Sequence, residues 1–470
     1  MKKTLFVKPP DRFLDDEFVY QQLGPHYLQS YLSSNGFDSD LLVLYQKTFR
    51  IVPSMEASLG DLYMLAVFSG GDTYEGKFDI RFFEGYDIVG FSVMTPQAPD
   101  AYLLNTALKR EYPHITTVIG GSHPRYYQAQ VESLPEANSF DFIVPQDGWR
   151  PMLQIVSGEV SKGSSARTLV DKMSKLIDLP PPTRPVGLMQ RYNFTIAGLP
   201  AFHSVTALGC PFTCHFCESG LERVRHFSFE MIEEDLATIA SVQSTVGHKK
   251  KGIMFFDDVG LMSPVQVARL ATRVSRAGFD TWRAFTHAYL VVKHKENLLL
   301  PFVETGGKRI GIGLETGSQK SLNLINKRNG KYQSVKEHYD AVVLANEQGV
   351  AVDAFTMIYP WEDETDLAET RSLIEFIASN PVNGFDETGR PLRNHVDSTI
   401  MSPYQGTKFF DMIEIGELPG VKINTKEDPG QMYYKGLEGG SGWPYQETRL
   451  PRSVYEEEQA YRNSLRPSYR

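Results

Sequence analysis

Short apolar runs alternate with amphipathic stretches through the first third of the chain. The runs typical of buried strands are, in order, TLFVKPP, DLLVLY, YDIVGFSVM, TTVIGG and DFIVPQDGW. Residues 27–34 and 101–110 have helical periodicity, which Asn35-Gly36 and Pro113 end. Strands that alternate with helices predict a doubly wound parallel sheet, and such sheets bind ligands at the carboxyl ends of their strands.

A second alternating series follows a stretch rich in Ser, Pro and Gly, residues 157–200, which we interpret as a linker. Its strand candidates are HSVTALG, GIMFFDD, TWRAFTH, RIGIGLE, AVDAFTMIYP and VDSTIMSP. Six strand–helix units are fewer than the eight of a closed barrel. The α/β chain is therefore predicted to hold a sheet domain in residues 1–156, a partial (β/α)6 barrel in residues 201–405 and a small C-terminal cap in residues 406–470.

Composition and charge narrow the class of protein. Hydrophobic residues make up 41% and charged residues 22%, as in ordinary globular proteins, and the formal net charge is −9. This acidic balance argues against nucleic acid or an anionic membrane as the main partner. The N-terminal apolar stretch is broken by Lys8 and two prolines, and no later run approaches the ~18 apolar residues of a membrane span. We expect a soluble cytoplasmic protein with a small-molecule substrate.

The chain has only three cysteines, Cys210, Cys214 and Cys217, in a loop after the first strand of the second series. An odd set clustered within eight residues is not a disulfide framework. Three thiolates can hold three irons of a cubane cluster, which normally takes four cysteines. The fourth iron would then be open to a substrate or cosubstrate.

Two simpler interpretations of the cysteines stay open at this point. One is a zinc ion held by the three thiols together with His203, His215 or His226, although the paired C-x-x-C spacing of common zinc sites is absent. The other is three unrelated buried thiols, since free cysteine does occur in protein cores.

The spacing C-x-x-x-C-x-x-C, with Phe216 before the last cysteine, resembles the radical S-adenosylmethionine superfamily. The resemblance implies a [4Fe–4S] cluster on the three cysteines and S-adenosylmethionine (SAM) chelated to the open iron. It also implies reductive cleavage of SAM to a 5′-deoxyadenosyl radical, with electrons from an external donor such as flavodoxin or ferredoxin.

The segments GIMFFDDVGLM, GIGLETGSQKSLNLINK and SPYQGTKFF look like those that close the SAM pocket in the branch with an N-terminal cobalamin-binding-type domain. The residues that the resemblance implies for SAM binding are Phe216, Arg225, Asp257, Asp258, Glu315, Thr316 and Ser318. The aspartates would lie near the methionine amino group, and an arginine fits a carboxylate with two hydrogen bonds. Each also has a simpler interpretation, as a cap, a strand-end charge or a surface residue.

One departure from the family pattern occurs in AFTMIYPWEDET. The family usually has glycine where Ile358 or Tyr359 stands. We expect the wall beside the adenine to be reshaped there.

The N-terminal segments LFVKPP, QLGPHYLQSYLSSNGFDSDLL, YDIVGFSVMTP, VIGGSHP and FIVPQDG resemble cobalamin-binding-type, Rossmann-like domains. The residues implied for cobalamin binding are Gly24, His26, Tyr27, Ser92, Met94, Thr95, Gly120, Gly121 and His123. The Asp-x-His-x-x-Gly motif that supplies an axial histidine elsewhere is absent. The alternative is a degenerate domain used for packing or substrate docking.

The two resemblances together imply methyl transfer to an unactivated carbon of a small molecule. A cyclase or ring-rearranging enzyme of the same architecture is one alternative, and a non-catalytic metal-binding scaffold is another. Catalytic acid or base residues stay unassigned. The predicted substrate determinants are Gln46 to Phe82, Tyr433, Tyr434, Trp443 and Tyr445.

Overall fold

The computed structural model describes residues 2–12, 14, 16–48, 58–133, 139–163, 166–424 and 443–465. The chain divides into two compact units. The first comprises the described residues up to Tyr192 together with Trp443, and the second comprises those from Asn193 to Asn424 and from Pro444 onward.

The first unit is built on a seven-stranded sheet with the order β4-β3-β2-β1-β5-β6-β7. Its strands are β1 Thr4–Lys8, β2 Ser39–Tyr45, β3 Tyr63–Val67, β4 Thr73–Lys77, β5 Ile88–Ser92, β6 Thr116–Gly120 and β7 Phe142–Val144. The five strands predicted from the apolar runs are all present and pair in parallel. The hairpin β3–β4 adds two antiparallel strands beside β2, and the sequence analysis did not predict it.

Helices cover this sheet because its central strands are buried along their whole length, as in β1 and β2. They are α1 Leu23–Ser34, α2 Ala98–Glu111, α3 Ser122–Tyr126, α4 Gln128–Ser133, α5 Trp149–Ser157 and α6 Val186–Met189, with 3₁₀ turns at Leu59–Asp61, Ile80–Phe83 and Thr95–Gln97. Helix α5 ends where Gly158 adopts a left-handed φ of 85°. The alternation of strand and helix confirms the predicted Rossmann-like architecture.

The second unit is an open half-barrel with the strand order β16-β15-β14-β13-β12-β9-β8. The strands of this unit are β8 Thr195–Ile196, β9 Leu199–Ser204, β10 Ala207–Leu208, β11 Arg225–His226, β12 Gly252–Phe255, β13 Thr281–Thr286, β14 Gly307–Glu315, β15 Ala351–Ile358, β16 His395–Ile400, β17 Lys422–Ile423 and β18 Tyr445–Glu447. Six of them, from β9 to β16 in the sheet order, run parallel, and β8 pairs antiparallel with β9 at the edge. The predicted partial barrel of six strands is confirmed.

The outer face of the half-barrel is apolar and lies under helices. These helices are α7 Phe229–Thr245, α8 Pro264–Arg276, α9 Ala288–His294, α10 Glu296–Glu304, α11 Gln319–Ile325, α12 Lys336–Glu347, α13 Glu364–Ser379, α14 Lys408–Glu414 and α15 Arg452–Ser464. Trp282 on β13, for example, is fully buried, with its ring centroid 4.5 Å from that of Phe302 on α10. Such contacts fix the strands, and with them the loops at their carboxyl ends.

The segment interpreted as a linker, residues 157–200, is shared between the units and contains β8 and the start of β9. Residues 406–470 contribute α14, the β17–β18 pair and α15 to the second unit, where Gln459 donates to the Ser398 carbonyl on β16 at 3.2 Å. Within the described part of the chain, no helix has the length and apolar character needed to cross a bilayer.

Candidate cofactor site

Residues 210–217, here called the cysteine loop, form the first part of the connection between the paired strands β10 and β11. All three cysteines are half-buried and free of disulfides. Burial raises the pKa of Cys210 to about 11 and that of Cys214 to about 12, and it also raises the pKa of Cys217. Thiols in such surroundings stay protonated until a cation compensates the thiolate charge, so iron binding and deprotonation are coupled here.

Backbone amides donate hydrogen bonds to two of the three sulfur atoms of this loop. Hydrogen bonds from Ser219 and Gly220 act on Cys217, and one from Phe212 acts on Cys210. Amide hydrogen bonds to the sulfurs are one of the means by which proteins tune iron–sulfur clusters. The donor set therefore fits the cluster that the sequence predicts.

The turn after α11 clamps one side of the cysteine loop. The Asn329 side-chain amide donates to the Pro211 carbonyl at 2.9 Å, and the Thr213 hydroxyl donates to Asn329 Oδ1 at 2.8 Å. Asn326 Nδ2 reaches the Thr213 carbonyl at 3.4 Å. Asn326 and Asn329 have φ values of 57° and 54°, a left-handed conformation that asparagine adopts more readily than most residues.

The other side of the loop is held through His215. Its N–H donates to the Ile325 carbonyl at 2.9 Å, and its carbonyl accepts from the N–H of Phe409 on α14 at 2.9 Å. The rings of His215 and Phe409 also meet edge to face at 5.5 Å. Two separate elements of the half-barrel therefore fix the loop.

The histidines of the zinc alternative lie in different surroundings. His203 on β9 is buried between the rings of Phe194 and Phe256, at centroid distances of 4.9 and 4.7 Å. His226 is exposed on β11. Among the residues that the structure describes, no three His, Cys, Asp or Glu side chains converge on a position for a single metal ion.

A buried ion pair between Glu315 and Lys327 lies next to the cysteine loop. Lys327 Nζ is 2.5 Å from the Glu315 carboxylate and 2.5 Å from the Gly313 carbonyl. Burial acts to lower the pKa of Lys327, but the charges of Glu315 and Cys214 outweigh it and raise the pKa. Glu315 has a φ of 66°, an uncommon conformation for glutamate that often marks a functional position.

Lys327 is the site residue that the sequence analysis missed. It closes the quoted segment GIGLETGSQKSLNLINK, yet a loop lysine is normally solvated and nothing in the sequence reveals its burial. Gly313 provides the room for it, because a Cβ there would come within 2.8 Å of Lys327 Nζ and would collide with the Glu315 carboxylate.

Two of the residues predicted to bind SAM have hydrogen-bond partners within the protein. The Thr316 hydroxyl lies 3.2 Å from the Glu362 carboxylate and 3.0 Å from the Thr370 hydroxyl. The Ser318 hydroxyl donates to Asp366 at 2.6 Å. Both side chains are fully buried and join the end of β14 to α13, and their contacts with SAM stay predictions.

The two predicted aspartates lie in different surroundings. Asp257 is buried and accepts hydrogen bonds from the Thr206 amide at 3.0 Å and from its hydroxyl at 2.6 Å, which ties β12 to the hairpin of the cysteine loop. Burial raises the pKa of Asp257 to about 6. Asp258 is exposed, and its charge adds to the effect of burial in raising the pKa of Cys210. Of the two aspartates, Asp258 is therefore the one whose charge acts on the Cys210 thiol.

The remaining predicted SAM residues belong to the same hairpin. Arg225 is buried on β11, opposite Leu208 of β10, and Phe216 is half-buried within the cysteine loop. Their predicted contacts with SAM stay predictions.

Five of the nine residues predicted for cobalamin are accessible at the carboxyl edge of the first sheet. They are Gly24, Ser92, Met94, Gly120 and Gly121. A Cβ on Gly24 would stand 3.7 Å from Ser92 Oγ, and the Val93 N–H donates to the Gly120 carbonyl at 2.9 Å. We call Gly24, Gly120 and Gly121 the glycine edge, where a ligand can approach the backbone closely.

The other four, His26, Tyr27, Thr95 and His123, are buried. His123 lies 2.5 Å from the Tyr102 hydroxyl through Nε2 and 3.4 Å from the Thr95 hydroxyl through Nδ1. His26 Nδ1 lies 2.9 Å from the Thr183 hydroxyl. Burial lowers the pKa of each histidine to about 3, so both are neutral, and their contacts with cobalamin stay predictions.

A buried charge network fixes the loop after β1 at the same edge. Lys8 Nζ pairs with Asp11 at 2.6 Å and with Glu17 at 3.4 Å, and Arg12 binds Asp100 through two hydrogen bonds of 2.7 Å. Neither the burial of these charged side chains nor their pairing is visible in the sequence. The network makes the carboxyl edge rigid without offering a free charge to a ligand.

The predicted substrate determinants are only partly described. Tyr433, Tyr434 and residues 49–57 lie outside the described residues. Tyr445 is buried and donates to the Met401 carbonyl at 2.5 Å, which makes it part of the core of the second unit.

Comparison with protein-family models identifies two regions of the chain. Residues 204–374 match the radical SAM superfamily, and residues 80–150 match the B12-binding domain. The first match contains the cysteine loop and the Glu315–Lys327 pair, and the second contains Gly120 and Gly121.

Two curated proteins are similar over a large part of the chain. An uncharacterized methyltransferase of Pyrococcus horikoshii is 24% identical over 341 residues, which cover 69% of both chains. The anaerobic magnesium-protoporphyrin IX monomethyl ester cyclase of Rubrivivax gelatinosus is 25% identical over 60% of this chain and 52% of its own length.

Solved structures share the fold of the whole chain. The cobalamin-dependent SAM radical enzyme OxsB, with aqua-cobalamin and SAM bound, superposes with a TM-score of 0.70 at 14% identity, over 98% of this chain and 66% of its own. The radical SAM methyltransferase TsrM from Kitasatospora setae, with cobalamin and a [4Fe–4S] cluster bound, gives 0.64 at 12% identity over 100% and 92%. This chain therefore spans slightly less than two thirds of OxsB and most of TsrM.

Proposed function

Since the chain combines a radical SAM domain with a B12-binding domain, we propose that it is a cobalamin-dependent methyltransferase that acts on an unactivated carbon of a small molecule. The observation that carries the proposal is the cysteine loop. It presents the only three thiols of the sequence at the strand ends of a half-barrel, in a chain whose first unit also has a glycine edge.

When bound, the cluster supplies the electron that cleaves SAM to a 5′-deoxyadenosyl radical, and the cobalamin supplies the methyl group. In this proposal Cys210, Cys214 and Cys217 hold the cluster. The buried Glu315–Lys327 pair orders the adjoining wall. Because the pair is fixed by packing before any ligand arrives, it costs no rearrangement on binding.

In the first unit the glycine edge is proposed to receive the corrinoid. Accessible glycines let its nucleotide tail approach the backbone, and the internal hydrogen bonds of His26 and His123 leave binding without an axial histidine as the simplest arrangement. An external donor such as flavodoxin or ferredoxin is the proposed source of electrons.

Two similarities support methyl transfer in particular. The relative from Pyrococcus horikoshii is named a methyltransferase, and so is TsrM. TsrM has also been solved with tryptophan as substrate, which supports a small-molecule substrate for this chain. The alternative is ring formation, which the similarity to the Rubrivivax gelatinosus cyclase favours.

The two functions can be separated before the substrate is known. Protein reconstituted with cluster and cobalamin is reduced and given SAM alone. Methyl transfer predicts one S-adenosylhomocysteine formed per bound cobalamin, because SAM must remethylate the corrinoid. Formation of 5′-deoxyadenosine without S-adenosylhomocysteine would favour the cyclase alternative, and about one zinc per chain with no iron would contradict both.

A further inference from the structure

The turn that clamps the cysteine loop, residues 326–332, carries exposed side chains on its outer side. Tyr332 is 70% exposed, the largest exposed fraction among the described side chains that are large and apolar or aromatic. Asn329 and Lys331 are exposed as well. Single exposed apolar side chains are ordinary on a protein surface, so the surroundings of Tyr332 decide what it can do.

The backbone of this turn has a fixed and uncommon shape. Asn326, Asn329 and Gly330 have left-handed φ values of 57°, 54° and 77°. The Gly330 N–H donates to Asn326 Oδ1 at 2.5 Å, which holds this conformation. Residues other than glycine adopt it at a cost in free energy, and such positions cluster at functional sites. The turn therefore presents Lys331 and Tyr332 to solvent in a defined arrangement.

The same turn adjoins the exposed part of the cysteine loop. Pro211 and Thr213 are exposed, and both are hydrogen-bonded to Asn329, at 2.9 and 2.8 Å. Thr213 directly precedes Cys214, one of the three cysteines proposed to hold the cluster. A protein that lies on this turn would therefore come close to the cluster, and electron transfer between two proteins requires such a close approach of their redox groups.

Cationic side chains lie around Tyr332. The Arg328 guanidinium lies over the ring of Tyr289 at 3.8 Å, and Lys293 Nζ is 5.5 Å from the centroid of the same ring. Lys331 is the exposed neighbour of Tyr332 in the sequence. The residues of this region, here called the basic surface, are Lys293, Arg328, Asn329, Lys331 and Tyr332.

The carboxylates beside the basic surface do not cancel its charge. Glu337 is paired with Arg328 at 3.2 Å, and Asp340 is paired with Lys336 at 2.6 Å. Among the described residues, Lys293 and Lys331 have no carboxylate partner. The chain as a whole has a formal net charge of −9, so this is a local positive region on an acidic protein. Such a region attracts the acidic face of a partner and orients it.

We propose that the basic surface is the docking site of the external electron donor, and that this donor is a small acidic protein of the flavodoxin type. A flavin is planar and largely apolar, so its ring edge can pack against the exposed Tyr332 ring. In the docked pair the reduced flavin loses one electron and the cluster gains it, and no bond forms or breaks. The inference rests on the cluster of the proposed function and is independent of the methyl-transfer step.

The first test is Lys331→Glu in protein reconstituted with its cluster, with an acidic flavodoxin as the probe. Reversal of this charge is expected to weaken flavodoxin binding, measured by titration calorimetry, about 5- to 30-fold at low ionic strength. The second-order rate of cluster reduction by reduced flavodoxin should fall by a similar factor. Both differences should shrink as salt is added, because exposed charges are screened beyond about 10 Å at 0.1 M salt.

Lys249→Glu is the matched control for charge. Lys249 is exposed and the substitution changes the net charge equally, but this lysine precedes β12 and lies at the amino ends of the parallel strands, the opposite edge of the half-barrel. Flavodoxin binding should stay within about twofold of the wild type. Reduction by dithionite, which needs no docking, should be equal in the wild type and in both variants, and so should the iron content and the melting temperature.

Tyr332→Ala tests the aromatic contact. Removal of the ring is expected to weaken flavodoxin binding about 5- to 30-fold, as at aromatic positions in the centre of other interfaces. Because this contact is not ionic, the loss should persist at high salt. Phe385→Ala is the control, since this ring is 58% exposed in the loop before β16, again at the opposite edge.

Three results would overturn the proposal. The first is unchanged flavodoxin affinity and reduction rate in Lys331→Glu at low ionic strength. The second is an equal loss in Lys249→Glu, or an equal loss in reduction by dithionite, which would remove the cause from this surface. The third is reduction by an iron–sulfur ferredoxin, but not by flavodoxin, that depends on Lys331. Wild-type protein whose cluster is reduced by flavodoxin but that forms no S-adenosylhomocysteine would count against methyl transfer alone.

Discussion

The cysteine loop of the second unit and the glycine edge of the first unit are built by different means. The loop presents thiols and lies beside a buried ion pair, so its chemistry resides in side chains. The glycine edge is accessible backbone, and the charged and histidine side chains near it are paired inside the unit. The cysteine loop offers side-chain functional groups to a ligand, whereas the glycine edge offers backbone that no side chain covers.

This difference determines how each site should respond to substitution. Removing a functional group from the loop deletes a bond that nothing else replaces. Adding atoms at the edge only narrows the space for a ligand. We therefore expect large effects in the second unit and graded effects in the first.

The largest effect is expected for Cys214→Ala. The chain has no fourth cysteine to substitute for the missing thiolate, so the iron content after anaerobic reconstitution should fall from about four per chain to near zero. His226→Ala is the control, because that histidine is exposed and belongs only to the zinc alternative. A brown Cys214→Ala protein with full iron content would contradict the cluster assignment.

The next effect is on stability, through Lys327→Met. The substitution leaves the Glu315 carboxylate buried without its partner, which typically costs about 3–5 kcal/mol of unfolding free energy. Urea unfolding of the cofactor-free protein measures it, and Lys336→Met, which breaks only the exposed pair with Asp340, should change little. Restoration of most of the loss by adding Glu315→Gln would show that the unpaired charge is the cause. A loss below about 1 kcal/mol would mean that the pair is not buried.

The strands of the molecule differ in how well the sequence predicts them. The parallel strands of both units were predicted because each is a short apolar run between turn residues, as in TLFVKPP and RIGIGLE. The hairpin β3–β4 was missed because β4 is an exposed edge strand, TYEGK, without an apolar face.

At the candidate site, the cysteines could be predicted because their spacing is local in sequence. Lys327 could not, because its importance comes from its burial beside Glu315 and Gly313, and the sequence does not reveal that burial. Thr316 and Ser318 were assigned to SAM from their segment alone, and their buried partners on α13 became visible only in the fold. The sequence thus predicts which groups are present, whereas the fold shows which partners they have.

The smallest effects are expected at the glycine edge, where two adjacent glycines should behave differently. Gly121 has a φ of 100°, and a Cβ there would lie 2.6 Å from the Val93 carbonyl oxygen, so Gly121→Ala should destabilise the first unit by about 1–3 kcal/mol. Gly120→Ala meets only ordinary contact, 3.6 Å from the Val144 carbonyl oxygen, and should change unfolding by less than about 0.5 kcal/mol.

If the edge receives cobalamin through its backbone, Gly120→Ala should still lower the fraction of corrinoid that the purified protein retains, because the added methyl group would cover part of the accessible backbone at the strand end. Corrinoid absorbance after gel filtration measures the effect, and Gly70→Ala is the control, because an added Cβ meets nothing within 4 Å in that turn after β3. Equal corrinoid retention in the wild type, in Gly120→Ala and in the control variant would mean that backbone access at Gly120 does not matter for cobalamin. The glycine edge would then not bind cobalamin through its backbone, and the alternative of a packing or docking domain would be favoured for the first unit.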